Sequence, residues 1–384
     1  MGDKAEMIDR KAQRRIIVFF FFLSGIMTAT WSSRIPDIQQ KLHLSNAALG
    51  TVLFAIPAGL VVGLSFASWA VVSFGSKRIM LLSCLLSALF LALAGIASTT
   101  FLMMLILFLV GIGRTVLNLS ANTGAIEVQQ LYERPIISSF HGIWSLACLI
   151  AAGISQFLII LDIVPGWQFS IVALVIIICV AFFSGKGIAH QRTIERRPFF
   201  VKPDKYLFLL GLIALCSMLC EGAMFDWGVN YFEKVVQAKK SFVTIGYIAF
   251  ITTMAGGRLI GDRFIQRFGA YRMLVICGTL MAIGFSIAAA FPFLVTAAFG
   301  FLLIGMGDSV LVPVIYMLAS KSKKMPASYA LSSVTLIGYT GFLIGPLLIG
   351  NVSQWLGMAA AFFILSTASL LIIFLSLQVR KMGQ

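Results

Sequence analysis

From residue 16 onward this chain is a succession of apolar runs, each about 20 residues long, with connectors as short as Ser98–Thr100 and Phe291–Phe293 between them. No other feature restricts the fold so strongly. A hydrocarbon core near 30 Å is crossed by about 20 residues of α-helix, and in lipid only helices and closed barrels satisfy every backbone polar group. Splitting the runs at charge clusters, Gly/Pro turns and polar breaks predicts twelve helical spans: 16–34, 47–72, 79–98, 101–126, 137–160, 167–185, 206–226, 242–264, 272–291, 294–320, 328–350 and 357–379. With 60% hydrophobic and 11% charged residues, a 384-residue chain has too little polar surface to be a soluble domain. The charged start, MGDKAEMIDRKAQRR, and the length of the first run are not those of a cleavable signal. All six cysteines (84, 148, 179, 216, 220, 277) fall in apolar segments and read as reduced core residues. Cys216 and Cys220 share a helix face, but no second Cys/His pair accompanies them, so neither a metal nor another cofactor is expected.

The net charge of +15 suggests a nucleic-acid partner until its distribution is followed. With both termini cytoplasmic, inner segments hold 22 of the 29 basic residues, including Lys77/Arg78, the stretch 186–205, Lys321/Lys323/Lys324 and Arg380/Lys381. Five fall in outer loops (Arg34, Lys41, Lys234, Lys239, Lys240), and Arg114 and Arg258 lie within spans. Such an asymmetry sets orientation in a membrane, so the charge reflects topology and no nucleic acid is expected. Segment 186–205 is the one long polar connector. It predicts a six-helix bundle over 1–185, a cytoplasmic linker over 186–205, and a second six-helix bundle over 206–384.

The two bundles repeat each other in sequence. Trp31 aligns with Trp227 and Gly50 with Gly246, 196 positions apart. At an offset of 194, Phe74-Gly75 aligns with Phe268-Gly269, Arg78 with Arg272, GIGRTV (111–116) with GMGDSV (305–310), and Ser138, Ser139 and His141 with Ser332, Ser333 and Thr335. A constant offset from span 1/7 to span 5/11 indicates internal duplication of the kind found in secondary transporters.

The stretches EGAMFDW (221–227), GGRLIGDRFIQRFG (256–269), RPIISSFHGIWSL (134–146) and GYTGFLIGPLLIG (338–350) resemble the major facilitator superfamily, in particular bacterial inner-membrane members related to the fucose permeases. The resemblance covers essentially the whole chain. It implies an all-α membrane protein of twelve transmembrane helices in two pseudo-symmetric six-helix bundles, with spans 1, 4, 7 and 10 lining a central cavity. It also identifies the loop 2–3 signature in the second half, with Gly257, Gly261, Asp262, Arg263, Arg267, Gly269 and Arg272 as a gate or latch. The first half keeps only Gly75, Lys77 and Arg78 of it.

An ionisable side chain at bilayer depth costs roughly 2.5–3.5 kcal/mol to insert and is therefore a functional candidate. Span 4 carries Arg114, Asn118 and Asn122 on one helix face, with Arg114 about 20 Å deep by helical rise. Its repeat mate in span 10 is Asp308, and the pseudo-twofold relation leads us to expect an ion pair between them. Glu221 in span 7, about 22 Å from the inner end, is the first candidate for proton coupling, followed by Asp226, Asp308 and His141. Span 1 adds Ser24, Thr28 and Trp31; span 5 adds Trp144; spans 10 and 11 add Tyr316, Thr335 and Tyr339, with Pro313 expected to kink span 10. Hydroxyls, amides and aromatic faces suit a small polar, sugar-like solute. The expected function is thus proton-coupled symport by alternating access across a bacterial cytoplasmic membrane, performed by a monomer in the lipid bilayer. The alternative is proton-coupled export of drugs or metabolites, which the absence of a Gly-Pro motif from span 5 disfavours. No nucleophile elbow, phosphate loop or metal-ligand cluster supports an enzyme.

Overall fold

The computed structural model describes residues 2–132, 136–184, 203–322 and 325–382. Among them the regular elements are helices: α1 (Gly2–Ser33), α2 (Ile35–Lys41), α3 (Asn46–Phe74), α4 (Ser76–Ile96), α5 (Thr100–Gln129), α6 (Ile137–Ile160), α7 (Pro165–Ser184), α8 (Lys205–Lys234), α9 (Ile245–Phe268), α10 (Ala270–Ala290), α11 (Leu294–Asp308), α12 (Leu311–Ser320), α13 (Ala327–Leu356) and α14 (Met358–Met382). Twelve segments are long and apolar enough to cross a membrane, one for each span read from the sequence. Most of the expected linker, together with Arg134, Lys323 and Lys324, lies outside the described residues.

Two spans differ from expectation. Span 7 does not stop at residue 226 but continues as α8 to Lys234. The run Trp227–Phe232 is buried and apolar enough to carry the helix on, so Asp226 lies two turns inside it and not at an interfacial end. Span 10 is broken: α11 ends at Asp308 and α12 begins at Leu311. Pro313 is the cause, because its ring clashes with the carbonyl four residues back, that of Ser309, and it supplies no N–H. The disturbance therefore falls on the residues before the proline, immediately after Asp308.

The chain divides into two compact units, Met1–Leu42 with Ala55–Ile194, and His43–Phe54 with Glu195–Gln384. Within unit 1, α1 packs on α6, and α4 on α5 and α7. Within unit 2 the repeat-equivalent pairs recur, α8 on α13 and α10 on α11 and α14. The duplication extends to single contacts. A side chain on Gly111 would strike the carbonyl of Ile56, and one on Gly305, its mate, would strike the carbonyl of Phe250. Gly75 and Gly269 precede α4 and α10 with φ of 87° and 78°, a conformation that glycine alone adopts without strain. The first two turns of α3 group with unit 2. There Gly50 and Gly350 bring backbones into contact, and Asn46 N–H donates to Gln354 Oε1 at 3.1 Å.

Arg34, counted from sequence among the loop charges, is only 1% exposed. It follows α1 and ties three segments of unit 1 together. Its Nε donates to Gln168 Oε1 at 2.6 Å, one terminal nitrogen donates to the Ile163 carbonyl at 2.9 Å, and the other reaches both Asp37 oxygens at 3.4 Å. Gln168 in turn donates to Ser155 Oγ at 2.6 Å. Burial lowers the Arg34 pKa and Asp37 partly restores it, so the guanidinium stays charged at physiological pH. Replacing Arg34 by Leu would take the donor from the buried Gln168 oxygen and the part-buried Ile163 carbonyl and remove the cation beside Asp37. We expect a loss of about 3 kcal/mol in chemical unfolding of the detergent-purified chain, with Arg34→Lys recovering less than half of it.

Candidate functional site

Each unit gathers its own set of polar residues at span depth. In unit 1, α1 brings Ser24, Thr28 and Trp31 to one face, because residues at intervals of three and four share a helix side. With Ser87 of α4 and Arg114 of α5 they line an open cavity, whose remaining walls are aliphatic. Thr28 is held by donating its hydroxyl to the Ser24 carbonyl at 2.9 Å. Trp31 and Ser87 are 7% and 5% exposed, yet the indole Nε1 and the serine Oγ have no hydrogen-bond partner. Below Arg114 on the same face, Asn122 donates to Asn118 Oδ1 at 2.7 Å.

His141 and Trp144 are half-buried on α6. The His141 ring stands edge-on to Phe21 of α1, with centroids 5.2 Å apart, at the seam between α1 and α6.

Unit 2 concentrates its charges. Arg258 of α9 pairs with Glu221 of α8, nitrogen to oxygen 3.2 Å. Asp308, at the C-terminal end of α11, is 3% exposed and within electrostatic reach of both. Its Oδ1 accepts from Ser217 at 3.5 Å, while Oδ2 is buried without a partner. Nearby, Thr335 donates to the Tyr316 hydroxyl at 3.0 Å, and Tyr316 interacts electrostatically with Tyr339 and Glu221. The break in span 10 is accommodated by α9, because Gly257 and Gly261 have no side chains where Ser309 and Val310 pack. Asp226 is half-buried on α8, one turn from Glu221.

The two repeat mates sit in different surroundings: Arg114 lines the unit 1 cavity, and Asp308 is 3% exposed within unit 2. The cation within electrostatic reach of Asp308 is Arg258 of α9. Asp262, Arg263, Arg267 and Arg272, at the end of α9 and the start of α10, are exposed, and Arg267 lies over the Phe268 ring at 5.6 Å. In the first half, the acidic residue absent from loop 2–3 is supplied from α5, where Glu127 accepts from Ser76 Oγ at 2.9 Å. Two residues of the cluster escaped the sequence reading, Arg258 and Ser217. Arg258 was visible as one of two arginines inside spans, a position that requires a partner. Ser217 left no comparable signal, since an isolated serine in a span is ordinary.

The sequence profile of the Major Facilitator Superfamily matches residues 17–329. An uncharacterized MFS-type transporter of Yersinia pestis is 29% identical over 347 residues, covering 89% of each chain. The membrane protein MosC of Rhizobium meliloti is 30% identical over 351 residues, 90% of this chain and 84% of its own. Among solved structures, the nucleoside transporter NupG superposes with a TM-score of 0.77 at 15% identity, over 96% of this chain and 99% of its own. A bacterial homologue of the human lysosomal transporter Spinster, in an inward-facing and occupied conformation, gives 0.72 at 17% identity, over 95% of each chain. At these identities the structural matches speak for the fold alone.

The Glu221–Arg258 pair generates a direct test. Arg258→Gln strands a carboxylate in a poorly hydrated site, whereas the double change with Glu221→Gln removes both charges. We expect the double variant to be more stable than the sum of the single effects by about 1–2 kcal/mol, read from melting curves in a double-mutant cycle.

Proposed function

The chain belongs to the major facilitator superfamily, and from that premise we propose that it is a proton-coupled symporter of a small polar solute. It works by alternating access in a bacterial cytoplasmic membrane, with both termini on the cytoplasmic side. The observation that carries the reading is Asp308: a carboxyl enclosed by the protein, one oxygen bonded only by a serine at long range and the other unpartnered. An ionised carboxylate is costly to bury unless it is paired. The available cation, Arg258, is already engaged by Glu221, and the C-terminal end of α11 presents a negative dipole. A proton on Asp308 cancels a charge that Arg258, engaged by Glu221, compensates only in part. Proton release then becomes favourable only when solute or helix movement frees Arg258 from Glu221 or lets water in. That is the coupling a symporter requires: loading of one site changes the free energy of the other. The break at Ser309–Val310 supports this role, because it lies next to the carboxyl and gives span 10 a point of bending.

The test is uptake into proteoliposomes holding a pH-sensitive dye, under an imposed pH gradient, with a panel of sugars, nucleosides and organic acids. The wild-type chain is expected to accumulate its solute only when the outside is acidic and to acidify the lumen as it does so. Asp308→Asn should abolish accumulation while keeping gradient-independent exchange of labelled for unlabelled solute. Accumulation by Asp308→Asn at the wild-type level, or solute movement without any proton flux, would show that this carboxyl does not couple.

A further inference from the structure

We propose that the unit 1 cavity recognises an organic monoanion, a small hydroxylated acid that places its carboxylate on Arg114. The inference rests on reading the chain as a solute carrier and specifies what the solute must contain. Arg114 is exposed on the cavity side of α5, and no hydrogen bond or ion pair joins it to the described residues. A guanidinium is charged at any physiological pH and offers a planar fork that matches a carboxylate with two parallel hydrogen bonds. None of the residues lining the cavity is acidic, so the cation is not neutralised within the site. The same fact excludes amines and other cationic solutes, which Arg114 would repel.

Two further donors independently call for an acceptor-rich ligand. The Trp31 Nε1–H can only donate, and it is buried at the cavity without an acceptor. The Ser87 hydroxyl is in the same position. A neutral sugar could satisfy these two but would leave the guanidinium without a counter-charge in an aliphatic surround of Met27, Leu91 and Val110. A hydroxylated carboxylate satisfies all three.

The arrangement also explains why repeat-equivalent positions carry opposite charges. A monoanion entering a cell works against the interior-negative potential. One proton carried on Asp308, the mate of Arg114, makes the loaded carrier neutral in both charges it has gained.

Equilibrium binding separates this proposal from the coupling mechanism. The probes are matched pairs of acid and neutral alcohol (gluconate and sorbitol, lactate and 1,2-propanediol, benzoate and benzyl alcohol), with melting temperature and tryptophan fluorescence of the full purified chain as readouts. We expect at least one acid to stabilise the chain at millimolar concentration and to outbind its alcohol by about tenfold or more. Arg114→Gln should abolish that preference, Arg114→Lys should retain part of it, and Trp31→Phe and Ser87→Ala should each weaken acid binding several-fold. Their ligand-free melting temperatures control for folding. The proposal is overturned if no acid binds, if an alcohol binds as well as its acid, or if Arg114→Gln keeps the preference. Asp308→Asn should still bind the acid. Arg114-dependent binding without proton flux would therefore refute the coupling mechanism and leave this assignment standing.

Discussion

Hydrocarbon supplies no hydrogen bonds. Every backbone N–H and C=O within the bilayer must be paired inside its own helix, and once it is, helices have little hydrophobic reason to associate. Close approach has to come from packing, which is why glycines recur at the crossings. Gly111 against Ile56 and Gly305 against Phe250 are the same crossing built twice. The two units are stable as bundles because small residues admit neighbouring backbones, and polar side chains at depth are tolerated where these tight crossings enclose them. Gly257 and Gly261 serve both needs: they bring α9 against the break in span 10 and so carry Arg258 towards Asp308.

The duplicated framework then carries unequal chemistry. Position 114 holds a cation beside a cavity, and position 308 holds a buried carboxyl. Glu221 is the mate of Gly25, which unit 1 needs for contact with the α6 backbone at Trp144. A carboxylate would not fit there, so unit 1 has no equivalent of the Glu221–Arg258 pair. The asymmetry divides the labour that we propose: one unit receives the solute and the other handles the proton. Arg34 stands apart from both tasks. Its bonds to Gln168, Ile163 and Asp37 tie the end of unit 1 together.

Much of this was legible in the sequence, because hydropathy and repeat spacing are local properties. Twelve spans, the all-helical class, the duplication and the polar residues of spans 1, 4, 7, 10 and 11 follow from one-dimensional patterns. Errors arose where a local signal competed with a longer one. Asp226 looked like a helix end because charge usually marks one, but the buried run to Phe232 outweighed a single carboxylate. Pro313 predicted a disturbance in span 10 correctly, while its place, residues 309–310, follows from which carbonyl the ring displaces.

The sequence by itself determined that this is a twelve-span, internally duplicated membrane protein with charges placed at depth, since apolar length and residue order suffice to establish those facts. Which charges meet was decided only by the tertiary structure. Glu221 takes its partner from α9, Asp308 is buried within unit 2, and Arg114 faces a cavity with no acidic residue in its lining. The physical reason is that a salt bridge depends on helix rotation and crossing to within an ångström or so. Those quantities are set by which glycines let which backbones touch, and no spacing along a single chain encodes them.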